Sequence, residues 1–147
     1  MFATTVVLTL TPLSRASVSS GSVIHFPGRH AMHNRKQANK YLTGTPRSFC
    51  RWAARYGHKI APESICGSTG GVFIRKYDTQ GFAAGYQGVS SAPNTLWARA
   101  DGRWRLAAAT QEAYFGCGSR HKLNGPERSG VHQCFTADSR VVRYHQS

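Results

Sequence analysis

Residues 34–57 read NRKQANKYLTGTPRSFCRWAARYG, and this stretch decides the fold expected of the chain. Its pattern is that of two short helices joined by a tight turn. For the second, Thr45 is placed to cap, Pro46 suits a first position that needs no donor, and Gly57 follows the last turn, which sets limits of about 46 to 56. Within it Phe49, Trp52, Ala53 and Tyr56 recur at spacings of three and four, and Arg47, Ser48, Arg51 and Arg55 fall opposite. One face wants a core and the other an anion. The first helix, residues 35–42 with Asn34 as cap, puts Ala38, Tyr41 and Leu42 on one stripe and leaves Arg35, Lys36 and Lys40 outside. Gly44 allows the sharp turn, and the small Ala38 sits where the helices would cross. Such a pair is the pattern of a helix-turn-helix, whose second helix enters the major groove of DNA.

The run Asn34-x-x-Gln37-Ala38-x-x-x-Leu42-x-x-Thr45-x-x-Ser48-Phe49-x-Arg51-Trp52, closed by Gly57, resembles the helix-turn-helix of phage excisionases and of MerR-like small regulators. Residues 70–82, GGVFIRKYDTQGF, are similar to the wing that follows in that family, and the resemblance implies a further helix in DTQGFAA with Asp78 as its cap. It departs from the family at Asn39, where a second Ala is usual, and at Thr43-Gly44, where Gly precedes an aliphatic residue. The likeness spans about 50 of the 147 residues.

Charge points the same way. Nineteen Lys and Arg stand against six Asp and Glu, a net +13 with His neutral, which favours a polyanionic partner such as nucleic acid. Residues 32–84 hold nine of those cations and two acids, and no acid precedes Glu63. A helix pair without carboxylates cannot neutralise its cations at spacings of three or four. An ordinary solvated face is usually interleaved with Glu, and this one is not. At 147 residues there is room for one ordinary domain, or for a small one with long extensions, and fifteen glycines imply much turn and loop.

Outward from the helix pair the signals thin. The apolar run at residues 2–10 is shorter than the roughly 20 residues that span a bilayer. It lacks the preceding cations of a secretory signal, and Ser14-Arg15-Ala16 makes a poor cleavage site. Met32, two residues before the helix cap, suggests the true start, with residues 1–31 an unstructured or mis-read extension. After Gly57, Pro62 and the glycines of GSTGG mark a loop, without the Lys-Ser/Thr ending of a phosphate loop. Residues 72–77 read as a strand with Val72, Ile74 and Lys76 on one side and Phe73, Arg75 and Tyr77 on the other. That alternation puts Arg75 and Lys76 beside the second helix. Residues 85–94 read as a boundary, and beyond it Asp101-Gly102 joins two runs into a hairpin at about 95–108. Trp97 and Trp104 lie near one another across it, with Arg99, Arg103 and Arg105 as cations. Thr110 caps a short helix through Phe115, and the remainder is basic, turn-rich and partly disordered.

Cys50, Cys66, Cys117 and Cys134 are compatible with reduced thiols, which the buried position of Cys50 favours, or with two disulfides. A zinc site from Cys117, His121, His132 and Cys134 lacks the usual Cys-x-x-Cys knuckle. Glu112, Arg120 and His121 are combinable into a nuclease-like site, but nothing in their spacing requires it. Residues 109–114 are faintly similar to a segment of small secreted guanyl-specific ribonucleases.

The expectation is an α+β chain: a small winged helix-turn-helix module at residues 32–84 between poorly specified N- and C-terminal extensions, 1–31 and 85–147. It is a non-enzymatic, cytoplasmic, nucleoid-associated protein of excisionase or transcription-regulator type that needs no cofactor or metal. Its partner is double-stranded DNA, with self-association or a recombinase beside it, and no membrane. Arg47, Ser48 and Arg51 reach base edges, where an Arg on guanine discriminates by about 1 to 3 kcal/mol. Arg35, Lys36, Arg55, Arg75 and Lys76 hold phosphates. The alternative is a secreted, disulfide-linked basic domain that binds polyanions or acts as a small ribonuclease.

Overall fold

The computed structural model describes residues 21–61, 71–88, 94–122 and 133–145. The N-terminal apolar run, most of the glycine-rich loop, Cys66 and His132 lie outside these residues. The chain is organised by an antiparallel meander rather than by its helices. Strands β1 (Val23–His25), β2 (Gly71–Asp78), β3 (Phe82–Gly88), β4 (Asn94–Ala100) and β5 (Arg103–Thr110) pair in sequence order into one five-stranded sheet. Helices α1 (Arg35–Tyr41) and α2 (Arg47–Ile60) lie between β1 and β2 in the chain and pack on one face of that sheet. A third helix, α3 (Cys117–Lys122), precedes a short hairpin, β6 (Gln133–Phe135) and β7 (Val141–Arg143).

This overturns the winged helix-turn-helix fold. The expected helix pair is present, but it covers a sheet of which the supposed wing, β2, is an inner strand hydrogen-bonded on both sides. A wing needs a free hairpin edge, and β2 has none. The N-terminal extension is not structureless either: β1 pairs Ile24 with Tyr77, and Phe26 belongs to the core. The segment at the expected boundary joins β3 and β4, which are neighbours in the sheet. The Asp101-Gly102 hairpin exists as β4–β5, within the sheet rather than on an extension. Both turn residues take positive φ, 50° and 73°, as the twist of a two-residue hairpin turn requires. Asp78 caps no helix; its Oδ1 accepts the Gln80 N–H (2.8 Å) in the turn that leads into β3. No helix starts at Thr110, the last residue of β5.

Local chemistry explains the helix ends. Asn34 accepts the Gln37 N–H at 3.0 Å while the Gln37 side chain accepts the His33 N–H at 2.8 Å, a reciprocal pair that fixes the start of α1. Thr45 does not cap α2. Its hydroxyl donates instead to the Leu42 carbonyl at 2.8 Å, closing the turn after α1, and Pro46 takes the cap position. Gly57 does not end α2, which continues to Ile60. It is there because the backbone of Met32 crosses the helix, leaving no room for a side chain.

The core between helices and sheet contains Phe49, Ala53, Val72, Ile74, Tyr77 and Trp97. Tyr77 reaches it through a bulge. Ile74 pairs with Gly85 and Lys76 with Ala84, so Arg75 is an extra residue in β2. The alternation expected along this strand therefore inverts after Ile74: Tyr77 joins Val72 and Ile74 under α2, and Lys76 turns to the opposite face. On that face Ala84, Leu96 and Phe115 form a second, smaller cluster.

Candidate nucleic-acid interface

The polar side of α2 carries Arg47, Arg51 and Arg55 at intervals of four residues, a stripe of about 12 Å along the axis. All three are exposed. Because β4 and β5 follow β3 across the sheet, their turn lies beside this stripe. Ser48, Arg51, Trp52 and Arg55 from α2 face Arg99, Gly102, Arg103 and Trp104 from the hairpin across a cleft of about 470 Å³. No acidic residue lines it. No guanidinium of Arg51, Arg55, Arg99 or Arg103 makes a hydrogen bond or ion pair among the described residues. Four like charges thus share one opening.

The cleft has an aromatic floor. The Trp52 and Trp104 ring centroids are 5.6 Å apart. Behind them Phe49 lies 5.4 Å from Trp52 and 4.8 Å from Trp104. Tyr56 stacks on Trp52 at 5.3 Å, its hydroxyl donating to Gln87 at 2.7 Å. These contacts anchor α2 to the sheet and fix the direction in which its arginines project. Tyr77, in the same cluster, has its phenol pushed above the usual range, chiefly because burial disfavours the phenolate.

The stripe continues on its other side. Arg51 and Arg55 also line a groove of about 440 Å³ with His33, Arg35 and His58. Arg35 and Arg47 in turn line a groove of about 390 Å³ along the turn between the helices. The sequence-predicted residues Arg35, Arg47, Ser48, Arg51 and Arg55 are therefore brought together in one band. Lys36 is exposed on α1 but lines none of these grooves.

Arg75 and Lys76 are not brought to this site. The bulge sends Lys76 to the opposite sheet face, where both line a separate cleft with Tyr86 and Asn94. The Arg75 Nη1 donates to the Tyr86 hydroxyl at 2.9 Å. Burial lowers the Lys76 pKa, with Arg75 and Arg120 lowering it further. The expectation that the two cations flank the second helix fails for Arg75 because it alternates with the core residue Ile74, and for Lys76 because of the bulge.

The sequence places Arg99, Arg103 and Arg105 on a hairpin outside the binding module and Trp52 on the core face of the second helix. Asp101-Gly102 did locate Arg99 and Arg103 at a strand turn, but only the strand order brings that turn beside α2.

Cys117 and Cys134 form a disulfide, with Cα atoms 5.0 Å apart, against the reduced thiols favoured from sequence; Cys50 is a free, buried thiol. Two proposed zinc ligands are thereby consumed. Among the described residues no group of three His, Cys, Asp or Glu is disposed around a common metal position. Of the nuclease-like trio, Arg120 is buried with its guanidinium 3.9 Å from the Tyr144 ring centroid, and the His121 ring lies 5.2 Å from the same ring. Glu112 instead sits in the turn after β5, its N–H donating to Thr110. No described helix is long and apolar enough to cross a membrane. No protein-family model, curated protein or solved structure matches the chain, so the likeness to excisionases and MerR-like regulators rests on the residues that carry it.

Proposed function

We propose that this protein binds nucleic acid through the band centred on the α2–hairpin cleft. Arg51, Arg55, Arg99 and Arg103 hold phosphates, and Arg35 and Arg47 extend the contact along the helix pair. The observation that carries this reading is the convergence of four guanidiniums, without an acid among the lining residues, from two elements distant in sequence. Guanidinium suits phosphate because its planar fork offers two parallel donors to two oxygens. The helix-turn-helix mode of docking is not part of the proposal, since the hairpin end shares the binding surface with α2.

The test is the affinity of the full chain for mixed-sequence DNA and RNA across a salt series. Each phosphate contacted contributes about −0.9 to the logarithmic salt slope on duplex and about −0.7 on a single strand. Arg51→Ala and Arg99→Ala should each flatten the slope by roughly one contact, whereas Arg143→Ala, exposed on β7, should not. A slope that none of the cleft substitutions changes, or binding weaker than about 10⁻⁴ M at physiological salt, refutes the reading.

The Cys117–Cys134 bridge favours a second reading, a secreted basic domain that binds polyanions or cleaves RNA, because disulfides persist mainly in oxidising compartments. Thiol titration of the native protein separates the two. A chain isolated from cells with both cysteines reduced supports a cytoplasmic nucleic-acid binder, and one isolated oxidised supports the secreted alternative.

A further inference from the structure

The cleft contains a feature that phosphate binding leaves unused. Trp52 and Trp104 line it beside the arginines, and both indoles are only partly buried. They are also held in place. Trp104 packs on Tyr77 at 5.9 Å, and Trp52 meets Trp97 edge-on at 5.9 Å. Neither ring can swing away without opening the core. Aromatic surface fixed beneath a cationic opening is the arrangement that takes a flat, apolar group attached to an anion.

A nucleotide has that form, but only when unpaired. In a duplex each base has both faces covered by its neighbours, so a duplex reaches the arginines and leaves the indoles idle. An unpaired base has a face to stack. The shape of the surface favours the same ligand. A helix of about 10 to 12 Å diameter fills a major groove about 12 Å wide by itself, and here the hairpin end stands alongside the helix as the other wall of the cleft. At about 470 Å³ the cleft falls in the range that holds a small organic group, roughly 300 to 1,000 Å³.

We propose that the ligand is single-stranded nucleic acid, its phosphates following Arg51, Arg55, Arg99 and Arg103 and one of its bases stacking on the Trp52–Trp104 floor. This rests on the nucleic-acid reading above and narrows it.

The experiment titrates the full chain with three fluorescently labelled 12-residue probes, an oligothymidylate, the same sugar-phosphate strand without bases, and a duplex, reading anisotropy and tryptophan emission. The thymidylate should quench the tryptophans and bind about tenfold tighter than the abasic strand, the scale of one stacked base. The duplex should bind without quenching. Trp104→Leu should abolish the thymidylate's advantage over the abasic strand, whatever it does to the abasic affinity itself. The abasic comparison needs no substitution and so holds whether or not that variant folds. Equal, salt-sensitive binding of thymidylate and abasic strand overturns stacking and leaves the nucleic-acid reading in place. Tighter binding of the duplex overturns the preference for single strands. Failure to bind any of the three overturns both.

Discussion

Replacing Gly57 with Ala should destabilise the protein, although Ala is the better helix former by about 1 kcal/mol. Gly57 lies within α2 and is buried; a Cβ there would stand 1.5 Å from the Met32 carbonyl oxygen and 2.7 Å from its carbon. Non-bonded heavy atoms settle near 3.5 Å, so the two backbones would have to part by about 2 Å. Met32 is poorly placed to yield. It is 1% exposed, and its N–H donates to the Val72 carbonyl at 2.8 Å, so its displacement strains β2 as well. Overpacking costs typically 1 to 3 kcal/mol and a weakened hydrogen bond about 1 more. Set against the propensity gain, the net loss is about 1 to 3 kcal/mol, a fall of roughly 2 to 12 °C in Tm for a chain of this size. Urea unfolding followed by circular dichroism measures it, with Gly118→Ala as the control, since nothing lies within 4 Å of a Cβ at that helical position. Gly57→Asn discriminates further. A left-handed cap tolerates Asn, whereas a crowded crossing rejects it at least as strongly as Ala. Wild-type stability in the Ala variant, or an Asn variant more stable than the Ala one, would refute the packing argument.

The disulfide closes a separation of 17 residues, which corresponds to about 3 kcal/mol of loop-closure entropy. Cys134→Ala should therefore speed amide exchange in α3 and in β6–β7 by local opening, with nucleic-acid affinity changed by less than about twofold; loss of binding by a chain with an intact sheet would show that the cleft depends on the C-terminal region. Burial raises the Tyr77 pKa above its unfolded value of 10.0, so the stability held by the neutral phenol is fully present below pH 10 and is lost as the pH climbs toward and through the folded value. Tyr77→Phe should retain the fold and lose that alkaline decline relative to the parent in denaturant titrations from pH 9 to 11, and an unchanged decline would assign the effect to other groups.

The local parts of this fold were legible, and the parts that depend on close approach were not. Asn34 and the spacing of Phe49, Trp52, Ala53 and Tyr56 act within a few residues of one another, so their reading needs no partner. Gly57 has the same appearance whether it stops a helix or lets another chain cross it. What distinguishes the two is Met32, which the sequence separates from it by 25 positions. The bulge at Arg75 is equally invisible to a period-two reading. Inserting one residue moves Tyr77 under α2 and exports Lys76, and it is settled by pairing with β3 rather than by composition. The short β1 has too few residues to display a period, and it is held as a strand by its pairing with β2.

The cleft divides along the same line. Its α2 half was readable, since arginines four apart on a helix with no acid nearby must share an exposed face. Its hairpin half was not. Arg99 and Arg103 lie more than 40 residues beyond Arg55 in sequence, and their position follows from three consecutive antiparallel pairings that carry the β4–β5 turn back to the helix. The left-handed Asp101 and Gly102 then close the turn in two residues, too short a connection to let its flanking arginines wander. On the proposed nucleic-acid reading, a longer loop would add an entropic cost to each phosphate contact of Arg99 and Arg103. This turn sets their backbone opposite Arg51 and Arg55 before a ligand arrives, so more of each new contact would remain as affinity.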